Sequence, residues 1–93
     1  MKLRTYCALD LHHSHTVFEA QTAKGAVICR KDVATGHREL VKLVRSVSGP
    51  KGIVIEEGPM ADWAMRALQP HVTEVIVCDP RRNRLIRALH DCV

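Results

Sequence analysis

Gly52-Ile53-Val54-Ile55-Glu56-Glu57-Gly58-Pro59 is a short β-branched run that climbs to two carboxylates and breaks at Gly-Pro. The aliphatic triplet predicts a buried strand, and proline directly after glycine predicts a turn into a helix. Glu56 and Glu57 are thereby left where a strand ends and a helix starts. In parallel sheets that is where chemistry is presented, because strand ends and loops converge there outside the packed core. A second apolar run, Thr5-Tyr6-Cys7-Ala8-Leu9-Asp10, ends on a carboxylate of its own. The reading of the chain depends on whether these two tips meet.

Working outward, residues 4–11 form the first strand and His12, His13 and Ser14 a polar corner. Residues 15–22 and 26–33 are predicted strands on either side of Ala23-Lys24-Gly25, where glycine supplies the positive φ of a tight turn. Links this short require an antiparallel meander. Leu40, Val41, Leu43, Val44 and Val47 then recur at helical spacing, with His37, Arg38, Glu39, Lys42 and Arg45 on the other side. Thr35 is placed as the N-cap, and Ser48-Gly49-Pro50 as the stop. After the strand at Ile53–Ile55, Pro59 opens a second helix with Met60, Trp63, Ala64, Ala67 and Leu68 inward, and Pro70 ends it. Residues 74–78 are a fifth strand, and Asp79-Pro80 starts a third helix with Leu85, Ile86 and Leu89 inward.

The order is β-β-β-α-β-α-β-α. Strands separated by helices can lie parallel with right-handed crossovers. With the fourth strand beside the first, the five-stranded mixed sheet has the order 3-2-1-4-5 and is flanked by helices, a ribonuclease H-like arrangement. It sets Asp10 beside Glu56-Glu57.

Ninety-three residues make one domain, and a hydrophobic fraction of 46% is that of a globular chain. No apolar run approaches the roughly 18–20 residues of a membrane helix, and the opening MKLRTYCALDLHH does not read as a signal peptide. A cytoplasmic location with no membrane partner is expected. The four cysteines, Cys7, Cys29, Cys78 and Cys92, contain no CxxC pair and are expected to be free thiols. The formal charge is +4, with Arg81, Arg82, Arg84 and Arg87 crowded into seven residues. Such a cluster suits a polyanion or else a solvated helix face. With only Tyr6, Phe18 and Trp63 aromatic, a base-stacking single-strand binder is disfavoured.

Carboxylates on adjacent strand tips repel unless a cation lies between them. Mg²⁺ meets that need while leaving positions for water and phosphate, and paired ions suit phosphodiester cleavage. Taken singly, Asp10 caps a loop and Glu56-Glu57 is a solvated strand end. His12, His13 and His15 read as loop histidines, with His13 and His15 able to share one face; phosphate contact or help beside Asp10 is the alternative. Trp63 reads as core, Arg66 as exposed, and Cys78 as a buried strand residue.

YCALDLHHSHT resembles the opening Y-x-G-x-D motif of DEDD-type insertion-sequence transposases, GIVIEEGPMADWAMRAL their second acidic motif, and VIVCDPRRNRLIRAL their V-V-x-N/D-P-R-R-x-R signature. The resemblance covers essentially all 93 residues, in family order and spacing. It implies a RuvC-like N-terminal domain of a transposase that cuts and joins DNA strands. Asp10 would be the first D and Glu56 the E, with Glu57 the substitute if the motif slips by one, and Mg²⁺ or Mn²⁺ the cofactor. It also implies Arg81, Arg82, Arg84 and Arg87 on nucleic acid, DNA and a structured guide RNA as partners, and a homo-oligomer in the full-length protein. Ala8 stands where the family has glycine. Asp91 does not sit in the pattern of the family's final aspartate pair, and the serine domain is not present in these residues. The chain is therefore expected to be the front part of such an enzyme, incomplete and with little or no cleavage of its own. The alternative is a non-catalytic nucleic-acid-binding or assembly module. A phosphotransferase fragment of the same fold is disfavoured, because Leu11-His12-His13 lacks the glycine of a phosphate loop.

Overall fold

Strands β1 (Thr5–Leu11), β2 (His15–Thr22) and β3 (Val27–Ala34) are joined by links too short for a crossover, so they pair antiparallel. The computed structural model describes residues 5–78. Between β2 and β3 the turn closes by Thr22 N–H donating to the Ala26 carbonyl at 2.8 Å, and Gly25 takes φ 91°. Helix α1 (His37–Arg45) then carries the chain back to β4 (Lys51–Glu56). Helix α2 (Ala61–Leu68) and a 3-10 turn at Gln69–His71 lead to β5 (Glu74–Cys78). β4 is parallel to both β1 and β5, which gives one five-stranded sheet of order β3-β2-β1-β4-β5. The fold is thus α/β, with the expected mixed sheet and two helices among the described residues.

Strand alternation divides the apolar residues between two faces. Cys7, Leu9, Phe18, Ala20, Ile53 and Ile55 share one core with Leu40, Leu43 and Val44 of α1 and Ala61, Ala64, Ala67 and Leu68 of α2. Each large side chain buried there contributes about 1.5–3 kcal/mol. The second face buries Ala8, Val54 and Cys78, with Tyr6 and Ile76 packed against them. Neither helix is long and apolar enough to cross a membrane.

Four local expectations are corrected. Thr35 does not cap α1: Gly36 holds that position without a side-chain bond. The Thr35 hydroxyl instead donates to the His12 carbonyl at 2.7 Å and meets the Thr16 hydroxyl at 2.7 Å. Pro59 is not the first helical residue of α2; the Ala61 N–H donates to the Gly58 carbonyl at 3.1 Å, so Gly58-Pro59-Met60 forms a turn ahead of the helix. Trp63 is 38% exposed, because the buried stripe runs through Ala61, Ala64, Ala67 and Leu68 and leaves Trp63 at its flank. Cys7 and Cys29 are free, but Cys78 is disulfide-bonded. The third helix, the arginines from Arg81 to Arg87, and Cys92 lie outside the described residues.

Candidate carboxylate site at the strand tips

The parallel register of β1 and β4 ends on the pair Leu9 and Ile55, so the next residue on each strand is a carboxylate, Asp10 and Glu56. Alternation puts Asp10 on the face of Ala8 and Glu56 on the face of Val54, and both of those residues belong to the second, smaller core. The two acids therefore leave the sheet on the same side, at the same edge, from neighbouring strands. Both are exposed, since the apolar residues below them complete the packing. Glu57 lies one residue beyond β4: its N–H donates to the Cys78 carbonyl at 2.7 Å, the last rung towards β5 before the chain turns towards Gly58, and alternation puts its side chain on the other face from Glu56. All three carboxylates border a cleft of about 370 Å³, together with His13, Pro59 and Met60.

The histidine corner differs from the expected pairing of His13 with His15. His12 and His15 stack, with ring centroids 4.7 Å apart and planes 18° from parallel. The His12 N–H donates to the His15 carbonyl at 3.0 Å, which closes the corner and turns His13 towards the cleft. His12 Nε2 lies 3.3 Å from Asp10 Oδ2. A signal for this contact was present in the spacing, because residues two apart on an extended chain point the same way.

A further group, legible only from the strand register, is Glu19 on β2. It is buried opposite Ala8 and held by Gln21 Nε2 at 2.5 Å and Arg30 Nη1 at 3.3 Å. Burial pushes the Cys7 thiol up to about 12, so it stays protonated and is no nucleophile at neutral pH.

Exposed carboxylate oxygens of this kind suit a hard divalent cation that keeps part of its water shell. Among the described residues no group of three or more His, Cys, Asp or Glu side chains is assembled to hold a metal ion. Asp10 and Glu56 are accordingly a two-carboxylate edge. The chain matches no protein-family model and no curated protein. Fold and site together define an α/β protein with acidic tips on adjacent parallel strands.

Proposed function

We propose that this chain is the RuvC-like, ribonuclease H-fold front part of a DEDD-type transposase, and that Asp10 and Glu56 are its share of the site acting on DNA phosphodiesters. The observation that carries the reading is the register: Leu9 pairs with Ile55, and the next residues outward are the two acids. The sheet order 3-2-1-4-5 and the motif resemblance support it from two other directions.

The donor set fits Mg²⁺ or Mn²⁺ in kind, being carboxylate oxygens open to water. Asp10 and Glu56 would hold the ion, which when bound supplies charge to offset that developing on the phosphate oxygens. The protein's own part is to fix the two carboxylates on rigid strand ends. The Gly58-Pro59 turn and His13 shape the wall of the cleft in which a phosphodiester would lie. DNA and a structured guide RNA are the partners this reading assigns, with assembly into homo-oligomers and a cytoplasmic location.

A second reading, a non-catalytic nucleic-acid-binding or assembly module, is favoured by one observation: the described residues bring three carboxylates, Asp10, Glu56 and Glu57, to the cleft, not four. Titration with Mn²⁺, followed by electron paramagnetic resonance, separates the two. Weaker binding in both Asp10→Asn and Glu56→Gln, with Glu57→Gln unchanged, is expected for the metal site. Identical titrations for the parent and the first two variants would leave the module reading in place.

A further inference from the structure

Helix α1 carries a row of cations that the carboxylate site does not use. Arg38, Lys42 and Arg45 stand at i, i+4 and i+7 and are all exposed. At about 100° per residue they fall within roughly 60° of arc, a rise of about 10 Å from first to last. Leu40, Leu43 and Val44 occupy the opposite side and bind the helix to the sheet. The half-buried Val41 lies beside the row, and His37 and Ser46 complete a shallow surface depression with it. None of the three cations takes part in an ion pair with another described residue, whereas Arg66 on α2 is paired with Asp62 at 3.1 Å and Arg30 with Glu19 at 3.3 Å. Among the described residues the row is therefore positive charge without an ion-pair partner, with Glu39 the one carboxylate on the same helix.

Its position is fixed relative to the acidic tips. β3 runs in the same direction as β1, so α1 starts at the edge of the sheet where Asp10 and Glu56 stand. The residue between β3 and the cap of α1 is Thr35, whose hydroxyl holds the His12 carbonyl in the corner beside Asp10. The row thus begins at the same edge of the sheet as the acidic tips but on the opposite face, which α1 covers, and leads away from that edge down the outside of the helix.

We propose that Arg38, Lys42 and Arg45 form a backbone-binding surface for double-stranded DNA. Long cationic side chains spaced along about 10 Å of rigid helix can reach phosphates of a duplex strand, and such contacts position nucleic acid without reading its sequence. The row includes no aromatic side chain, which leaves single strands without a stacking platform. This inference rests on the nucleic-acid reading above and adds to it the surface that receives the duplex.

The test is binding of the full chain to a fluorescent 20-base-pair DNA over a range of salt concentrations, in EDTA, by anisotropy. Arg38→Gln/Lys42→Gln/Arg45→Gln is expected to lower the slope of log affinity against log salt by about 2 to 3. At low salt it should bind at least about tenfold more weakly, while Arg66→Gln matches the parent. Arg38→Lys/Arg45→Lys, which keeps the charge, is expected to bind within about threefold of the parent. An unchanged slope in the triple variant, or single-stranded RNA of equal length outcompeting the duplex, overturns the proposal. The absence of divalent cations keeps the outcome separate from the Mn²⁺ titration. A failed row beside a working carboxylate titration removes this inference alone, and the converse removes the metal reading alone.

Discussion

His12 Nε2 lies 3.3 Å from Asp10 Oδ2, and three contacts hold it there: its ring stacks on His15, its N–H is taken by the His15 carbonyl, and its own carbonyl is taken by Thr35. A cation binding Asp10 competes with this imidazole for the carboxylate oxygen. Both side chains are about half exposed, at 50% and 53%, so the contact is a weak one. His12→Ala should therefore tighten Mn²⁺ binding by about two- to fivefold, the worth of an exposed polar contact. Calorimetric titration checks this. Weaker binding in the variant would make His12 a ligand rather than a competitor.

Leu40 is fully buried between α1 and the sheet, while Val41, its neighbour in sequence, is only half-buried beside the cationic row. Leu40→Ala removes most of a close-packed side chain and is expected to cost about 2–5 kcal/mol. That is a large part of the roughly 5–15 kcal/mol available to a small domain. Val41→Ala should cost less than about 1.5 kcal/mol. Urea unfolding followed by circular dichroism measures both, and equal losses would contradict the inward assignment of the helix face.

The sheet was legible because its causes are local. Short polar links force the meander, and helical spacing between the later strands forces crossovers. Once these are given, the order 3-2-1-4-5 follows from placing β4 beside β1. Which of Glu56 and Glu57 shares an edge with Asp10 was not legible. That depends on the register Leu9–Ile55, and a slip of one residue would exchange the two. Trp63 was misplaced because its helix is short and alanine-rich. Ala61, Ala64 and Ala67 are the residues the helix buries, and a stripe of such small residues is a faint signal against one tryptophan. Thr35 has the residue type of a cap, but the two oxygens it meets, on Thr16 and His12, come from distant parts of the chain.

Cys7 makes stability depend on pH at the alkaline end. Burial raises its thiol from 9.0 to about 12, so the folded state keeps the proton that the unfolded chain releases. The contribution is complete below about pH 9 and is lost as the pH rises towards 12. Over that window the slope is about 1.4 kcal/mol per pH unit at most. Cys7→Ala should lower stability at pH 8 and yet flatten its decline above pH 9, measured as the difference between two urea-midpoint profiles. Parallel profiles would show that the thiol does not titrate with folding. Iodoacetamide at pH 8 should label the half-buried Cys29 and leave Cys7 unmodified in the native protein.

Two arginine–carboxylate pairs of similar length should differ several-fold in worth. Arg66 and Asp62 meet at 3.1 Å across one turn of α2, with side chains 78% and 65% exposed. Water solvates both when they part, so Arg66→Ala should cost less than about 0.5 kcal/mol. Arg30 reaches Glu19 at 3.3 Å from a largely exposed position, but the Glu19 side chain is only 6% exposed. Its other side-chain partner is Gln21 Nε2. Arg30→Ala leaves that buried carboxylate one donor short, and the expected cost is about 1–3 kcal/mol. Glu19→Gln together with Arg30→Ala should recover part of the loss, because an amide is cheaper to bury than an unpaired charge. Urea midpoints for the three variants decide the matter. If Arg30→Ala is as mild as Arg66→Ala, Glu19 draws its stabilisation from elsewhere, and the β2–β3 pair is not held by this contact.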